Sequence, residues 1–295
     1  MKRLLFLVLL WTVPLCTGTL YALNPDWTTP FPPHQIVGNV YYVGSKDLAS
    51  FLITTPQGHI LINGNLAQSP LQIRRSVEKL GFHFSDIKIL LISHAHSDHC
   101  GGSALVKRLT HARYMVMDAD VASVESGGRS DFALGRMPSM WYPRTKVDRV
   151  LHDGDQVSLG GVVLTAHLTA GHTKGCTTWT LKVPDTRNGK VYNVVIVGGP
   201  TVLSEFKLVD NKAYPQIAQD FERQFQTLRG LPCDVFLGAH GGYYDLTEKY
   251  ARLKAGDLHA FVDPAGYREF VAEDQKAFEE AWKKQQAGAA GHGGL

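Results

Sequence analysis

The sequence predicts an α/β fold in which two successive blocks of β-strands carry helices on their outer sides. Short apolar runs punctuated by glycine cluster between residues 35 and 63, and again between residues 156 and 198. Segments with helical spacing accompany each block, and no sequence repeat relates one block to the other.

The chain has 295 residues, 44% of them hydrophobic, which is enough to bury a substantial core. Its first residues, "MKRLLFLVLLWTVPLCTGTLYA", set Lys2 and Arg3 before an apolar run from Leu4 to Val13 and small residues at Gly18 and Ala22. That pattern is a cleavable export leader. The run is about half of the roughly 20 residues a spanning helix needs, and Leu15 before Cys16 argues against a lipid anchor. Residues 1–22 are therefore expected to be removed, leaving one domain over 23–286, periplasmic or secreted, and a flexible tail at 287–295.

Loss of Lys2 and Arg3 takes the formal charge from +3 to +1. The mature chain then has no strong pull toward nucleic acid or a membrane surface, and a small neutral or zwitterionic partner fits better. A monomer is expected, with assembly left open. Of the four cysteines, Cys16 leaves with the leader, so one of Cys100, Cys176 and Cys233 is left over, or all three are free.

After the proline- and tryptophan-rich "NPDWTTPFPPH", the runs "IVGNVYYVG", "SFLITTP" and "HILIN" read as antiparallel strands, with Gly58 and Gly64 as punctuation. Residues 68–81 place Leu71, Val77 and Leu80 at near-helical spacing and stop at Gly81. The run "IKILLIS" is apolar on both faces, as a central buried strand requires. Another helix begins at Gly101, and "RYMVMD" reads as a strand. Residues 126–146 mix Gly, Pro and aromatics without a period, a long loop of the kind that is usually functional or disordered. The strands "QVSLG", "VVLTAHL", "CTTWTLKV" and "VYNVVIVG" follow, then a helix at 215–229, the strand "DVFLG", and helices near 245–256 and 264–285.

The stretch "SHAHSDHCGG" packs His94, His96, Asp98 and His99 behind the apolar "IKILLI". Imidazole nitrogen and carboxylate oxygen are ligands for zinc and similar divalent ions. At the end of an extended strand His94 and His96 point the same way, while Asp98 and His99 aim at a neighbouring point if the chain turns into a helix at Gly101. One cluster could thus serve two ions. His172 in "TAGHTKGC" and His240 in "FLGAHGG" also follow strands on glycine-flanked loops, where a rigid scaffold gathers a site. Six ligands make two sets of three. His167, inside a strand, reads as a satisfied, non-ligating histidine.

"SHAHSDHCGG", "LTAGHTKGCTTWT" and "LPCDVFLGAH", with "VMDADVASVESGGRSDF" and "DRVLHDGDQVSLGG" between them, resemble the metallo-β-lactamase superfamily, and within it the third subclass of class B β-lactamases. The likeness runs from Trp27 to Phe278. It implies an αββα four-layer sandwich and a β-lactam as the small-molecule substrate. It also implies two zinc ions, the first held by His94, His96 and His172, the second by Asp98, His99 and His240. A hydroxide between the metals would attack the lactam carbonyl, oriented by Asp98, with no covalent enzyme intermediate. Rival readings are another hydrolase of the superfamily, such as a thioesterase or lactonase, or a zinc-binding protein without turnover. The rival hydrolases carry a bridging aspartate where this chain has Gly199.

Several positions depart from the pattern that the resemblance implies. Thr201 keeps one of two hydroxyls that grip the substrate carboxylate, while Gly199 lacks the other, so Lys207 or a water is expected to share the task. Asn63 stands where an aspartate commonly sits behind a metal histidine, and a neutral amide there is a less basic partner. Cys233 has no downstream cysteine with which to form the disulfide of related enzymes. Cys100 and Cys176 are expected to be buried small residues. The loop 126–146, with Phe132, Met140, Trp141 and Tyr142, would wall the substrate groove.

Overall fold

The computed structural model describes residues 24–292; the leader expected at 1–22 lies outside them. The first block contains the strands β1 His34–Val37, β2 Val40–Tyr42, β3 Phe51–Thr55 and β4 Gly58–Ile62, then helix α1 Pro70–Lys79 and strand β5 Ile87–Leu91. A single helical turn, α2 Ser97–Cys100, leads into α3 Ser103–Thr110, β6 Arg113–Met117, α4 Asp118–Ser126 and β7 Arg149–Leu151. The second block has β8 Gln156–Leu159, β9 Val162–Leu168, β10 Thr177–Asp185, β11 Lys190–Val197, α5 Ile217–Gly230, β12 Val235–Gly238, α6 Leu246–Lys254 and α7 Pro264–His292.

Strands β1 to β7 form one sheet in sequence order; β12-β11-β10-β9-β8 form the other. The early hairpins are antiparallel, whereas β4, β5, β6 and β7 pair in parallel, with helices making the crossovers. Central strands bury both faces: in β3, Phe51 and Ile53 join the core between the sheets, while Leu52 joins a second core beneath α1 and α3. Trp179 of β10 and Ile196 of β11 fill the space between the sheets, and Phe221, Phe225 and Phe278 carry that core out to α5 and α7. The layers are thus helix, sheet, sheet, helix, the expected αββα order.

Three details differ from the sequence reading. Helix α4 was not expected, because "DADVASVES" shows no apolar stripe. The three-residue strand β7 is too short to leave a periodic signal. Helix α7 continues to His292 through residues assigned to a tail, consistent with the high helix propensity of the alanines in "QQAGAAGH".

Candidate metal centre

One edge of the sandwich gathers the ends of β5, β9, β11 and β12. Beyond β5 the chain leaves the sheet, and Trp179 Nε1 and Thr177 N donate to the carbonyls of Ile92 and Ser93 at 3.0 and 2.7 Å, fixing the approach to His94. His94 and His96 lie past the strand's last residue, but their ring centroids are 4.9 Å apart and each lies within 4.8 Å of His172. His94, His96 and His172 can present one ligand atom each within 4.8 Å of one another, and so can His94, Asp98 and His99. His240 completes the group: its Nε2 is 3.6 Å from Asp98 Oδ2, which is 3.1 Å from His99 Nε2.

Both ring nitrogens of His94 and of His99 are buried without a hydrogen-bond partner. Buried polar atoms left open at this density are costly unless something else binds them. All donors are imidazole or carboxylate, the chemistry that suits a catalytic zinc. Burial drives the His172 imidazole down to about 3, the neighbouring His96 adding to it, so the ring is neutral as a ligand must be. Burial alone would raise the Asp98 carboxyl, but His99 and His240 beside it hold it well below the usual carboxylate range.

Carboxylates and carbonyls behind these rings set their orientation. His172 Nδ1 donates to the Thr201 carbonyl at 2.6 Å, leaving Nε2 for the centre. His240 Nδ1 donates to Asp47 Oδ2 at 2.9 Å, and Trp27 Nε1 reaches the same oxygen at 3.0 Å. Asp120, 2% exposed, accepts from Ala95 N at 2.9 Å, Gly175 N at 2.9 Å and Thr173 Oγ1 at 2.8 Å, clipping the His94–His96 loop to the His172 loop. Gly175 is needed there because a Cβ would stand 2.6 Å from Asp120 N. Burial raises the Asp120 carboxyl to about 6 against the bonds from Thr173 and Gly175. Sequence reasoning missed Asp47, Asp120 and Trp27, because isolated residues in unrelated segments carry no spacing signal.

The centre floors a cleft of about 380 Å³ lined by His96, Asp98, His172 and His240 together with Trp27, Leu134, Met140, Thr201, Leu203 and Tyr243. The long loop does supply wall residues, Leu134 and Met140. Trp141 lines an adjoining apolar cavity, Tyr142 is buried with its hydroxyl on the Ala95 carbonyl at 2.7 Å, and Phe132 packs on Phe206 and Tyr214.

Two expected roles are corrected. Asn63 does not back a histidine: it adopts left-handed φ of 68°, accepts from Ser93 N at 2.8 Å and donates to the Ala49 carbonyl at 3.4 Å. It shapes the backbone before His94, and an aspartate there would set a carboxylate against the Ala49 carbonyl. Lys207 is exposed between buried Phe206 and Leu208 and does not line the cleft, because alternation around those two anchors turns it to solvent. Thr201 lines the cleft, and Gly199 sits with its Cα against the rings, where a Cβ would lie 3.2 Å from both His94 Cε1 and His172 Cδ2. Cys100, Cys176 and Cys233 are free, the first two buried as expected. His167 bonds Thr180 Oγ1 at 2.8 Å, away from the centre.

Residues 49–186 match the sequence model of the metallo-beta-lactamase superfamily. The native FEZ-1 metallo-beta-lactamase from Legionella gormanii is 52% identical, with 88% of this chain and 98% of that chain covered and a TM-score of 0.86. The class B3 di-zinc metallo-beta-lactamase LRA-12 from an Alaskan soil metagenome is 37% identical over 88% of this chain and 98% of that one, with a TM-score of 0.83. A more distant relative, a UPF0173 metal-dependent hydrolase from Anaeromyxobacter dehalogenans (strain 2CP-C), is 24% identical over 72% of this chain and 68% of its own length.

Proposed function

Because this chain belongs to the metallo-beta-lactamase superfamily, we propose that it is a class B3 β-lactamase that hydrolyses the cyclic amide of penicillins, cephalosporins or carbapenems with two zinc ions. The convergence of six nitrogen and oxygen donors, four lining the cleft and His94 and His99 buried beside them, carries this reading. His94, His96 and His172 would hold one zinc, and Asp98, His99 and His240 the other. Bound there, zinc supplies Lewis acidity toward the lactam carbonyl and lowers the pKa of water to about 7.

The chain's own residues position and orient. Asp98 stays ionised between His99 and His240, so it has lone-pair capacity to accept a hydrogen bond from the attacking water and fix its direction. Direct attack by water leaves no acyl-enzyme. Thr201 offers its hydroxyl to the substrate carboxylate without help from Gly199, and Leu134, Met140 and Leu203 cover the apolar parts of the ligand. Gly199 also argues against the thioesterase and lactonase readings, since it brings no bridging carboxylate to the two rings it touches.

Residues 1–22 fit a leader removed on export, followed by a monomeric domain over 23–286 in the periplasm or outside the cell. Among the described residues no helix is long and apolar enough to cross a membrane. The test is turnover of a carbapenem and a chromogenic cephalosporin by the purified mature chain, with and without a chelator. Hydrolysis that chelation abolishes and zinc restores is expected; metal-loaded protein inert toward both would refute the assignment.

A further inference from the structure

The loop that walls the cleft reaches the metal centre through Asp131. Its Oδ2 lies 3.5 Å from His96 Nε2, with the two side chains 4% and 5% exposed, and that nitrogen finds no nearer partner. The other oxygen, Oδ1, accepts from the backbone N–H groups of Ala133 at 2.9 Å and Leu134 at 2.6 Å. One carboxylate therefore both faces a ligand ring and closes the turn that presents Leu134 to the cleft.

An imidazole that gives Nε2–H to a carboxylate keeps its lone pair on Nδ1. We infer that Asp131 is a positioning residue with two attachments: it holds His96 in the tautomer that ligates through Nδ1, and it ties the cleft wall at Leu134 to the occupancy of the metal site. The inference rests on the reading of His96 as a zinc ligand. Ligation at Nδ1 makes Nε2–H a stronger donor, which tightens the contact with Asp131 and, through Oδ1, the turn at 131–134. The substrate wall is then more ordered when zinc is bound.

Asp131→Asn separates the two attachments. The amide oxygen still closes the turn on Ala133 and Leu134, but its N–H group now faces His96 Nε2 and favours the wrong tautomer. Zinc binding is measured by chelator competition on the mature chain, and hydrogen exchange of residues 131–142 is followed with and without zinc. The parent chain should exchange more slowly across this loop when loaded. Asp131→Asn should bind zinc about 10- to 100-fold more weakly, show unchanged exchange at 133–134 without metal, and lose the zinc-dependent slowing. Zinc binding equal to the parent's in Asp131→Asn, or loop exchange in the parent indifferent to zinc, overturns the tether alone. A parent chain that binds no zinc, or a His96→Ala variant that keeps full zinc stoichiometry, overturns the ligand reading and the tether with it.

Discussion

At the scale of single residues, the histidines proposed as zinc ligands contrast with His34, which is buried elsewhere in the fold. His34 sits 8% exposed among Tyr42, Tyr250 and Phe261, its Nδ1 bonded to the Pro32 carbonyl at 2.9 Å and its Nε2 unpaired. Burial lowers its pKa to about 4, against the Pro32 bond. The folded state thus binds fewer protons there than the unfolded state between about pH 6.5 and pH 4, so this stability is present above 6.5 and is lost as pH falls through that window. His34→Phe should spare the zinc-free protein about 2 to 3 kcal/mol of the loss between pH 7 and pH 4.5. Urea unfolding at the two pH values measures it; equal losses in both proteins would contradict the buried neutral ring. The six proposed ligands were legible in the sequence because four share one dense string, "HAHSDH", and the other two follow strands beside glycine. Asp47, Asp120 and Asp131 were not, because each earns its role only from where the fold delivers it. Asn63 and Lys207 misled for the same reason: a position in a string says nothing about which way a side chain turns.

At the scale of elements, the strands and most helices announced themselves by period, and the failure at α4 is instructive. That helix has no apolar stripe, and its first turn exists to deliver Asp120 into the gap between the two ligand loops. Asp120→Ala would leave the N–H groups of Ala95 and Gly175 and the Thr173 hydroxyl buried without partners. A cost of about 2 to 5 kcal/mol is expected in denaturant unfolding of the zinc-free chain. A loss under about 1 kcal/mol would show that the loops hold themselves. The long loop 126–146 was correctly read as irregular, but its division of labour was invisible: Leu134 and Met140 face the cleft, whereas Phe132 and Tyr142 are structural.

For the whole molecule, the apolar core between the sheets is continuous from Ile36 to Phe278, and the six proposed ligands lie beyond the ends of β5, β9 and β12 at its edge. The sandwich should therefore outlive its metal. Chelated protein is expected to keep a single cooperative thermal transition by circular dichroism, with Tm lower by about 5 to 15 °C, the scale of a ligand present at 100 to 1,000 times its Kd. Loss of cooperativity on chelation would mean that the metal sites are part of the core after all. Asp47 adds a consequence for how the protein is made. It joins Trp27, near the start of the described chain, to His240, near its end. A chain emerging from the ribosome or threading through a translocation pore has His94, His96 and His172 long before it has His240, so the second ligand set closes only when synthesis is nearly complete. The second proposed set is therefore completed after the first, once the link from Trp27 through Asp47 to His240 can form.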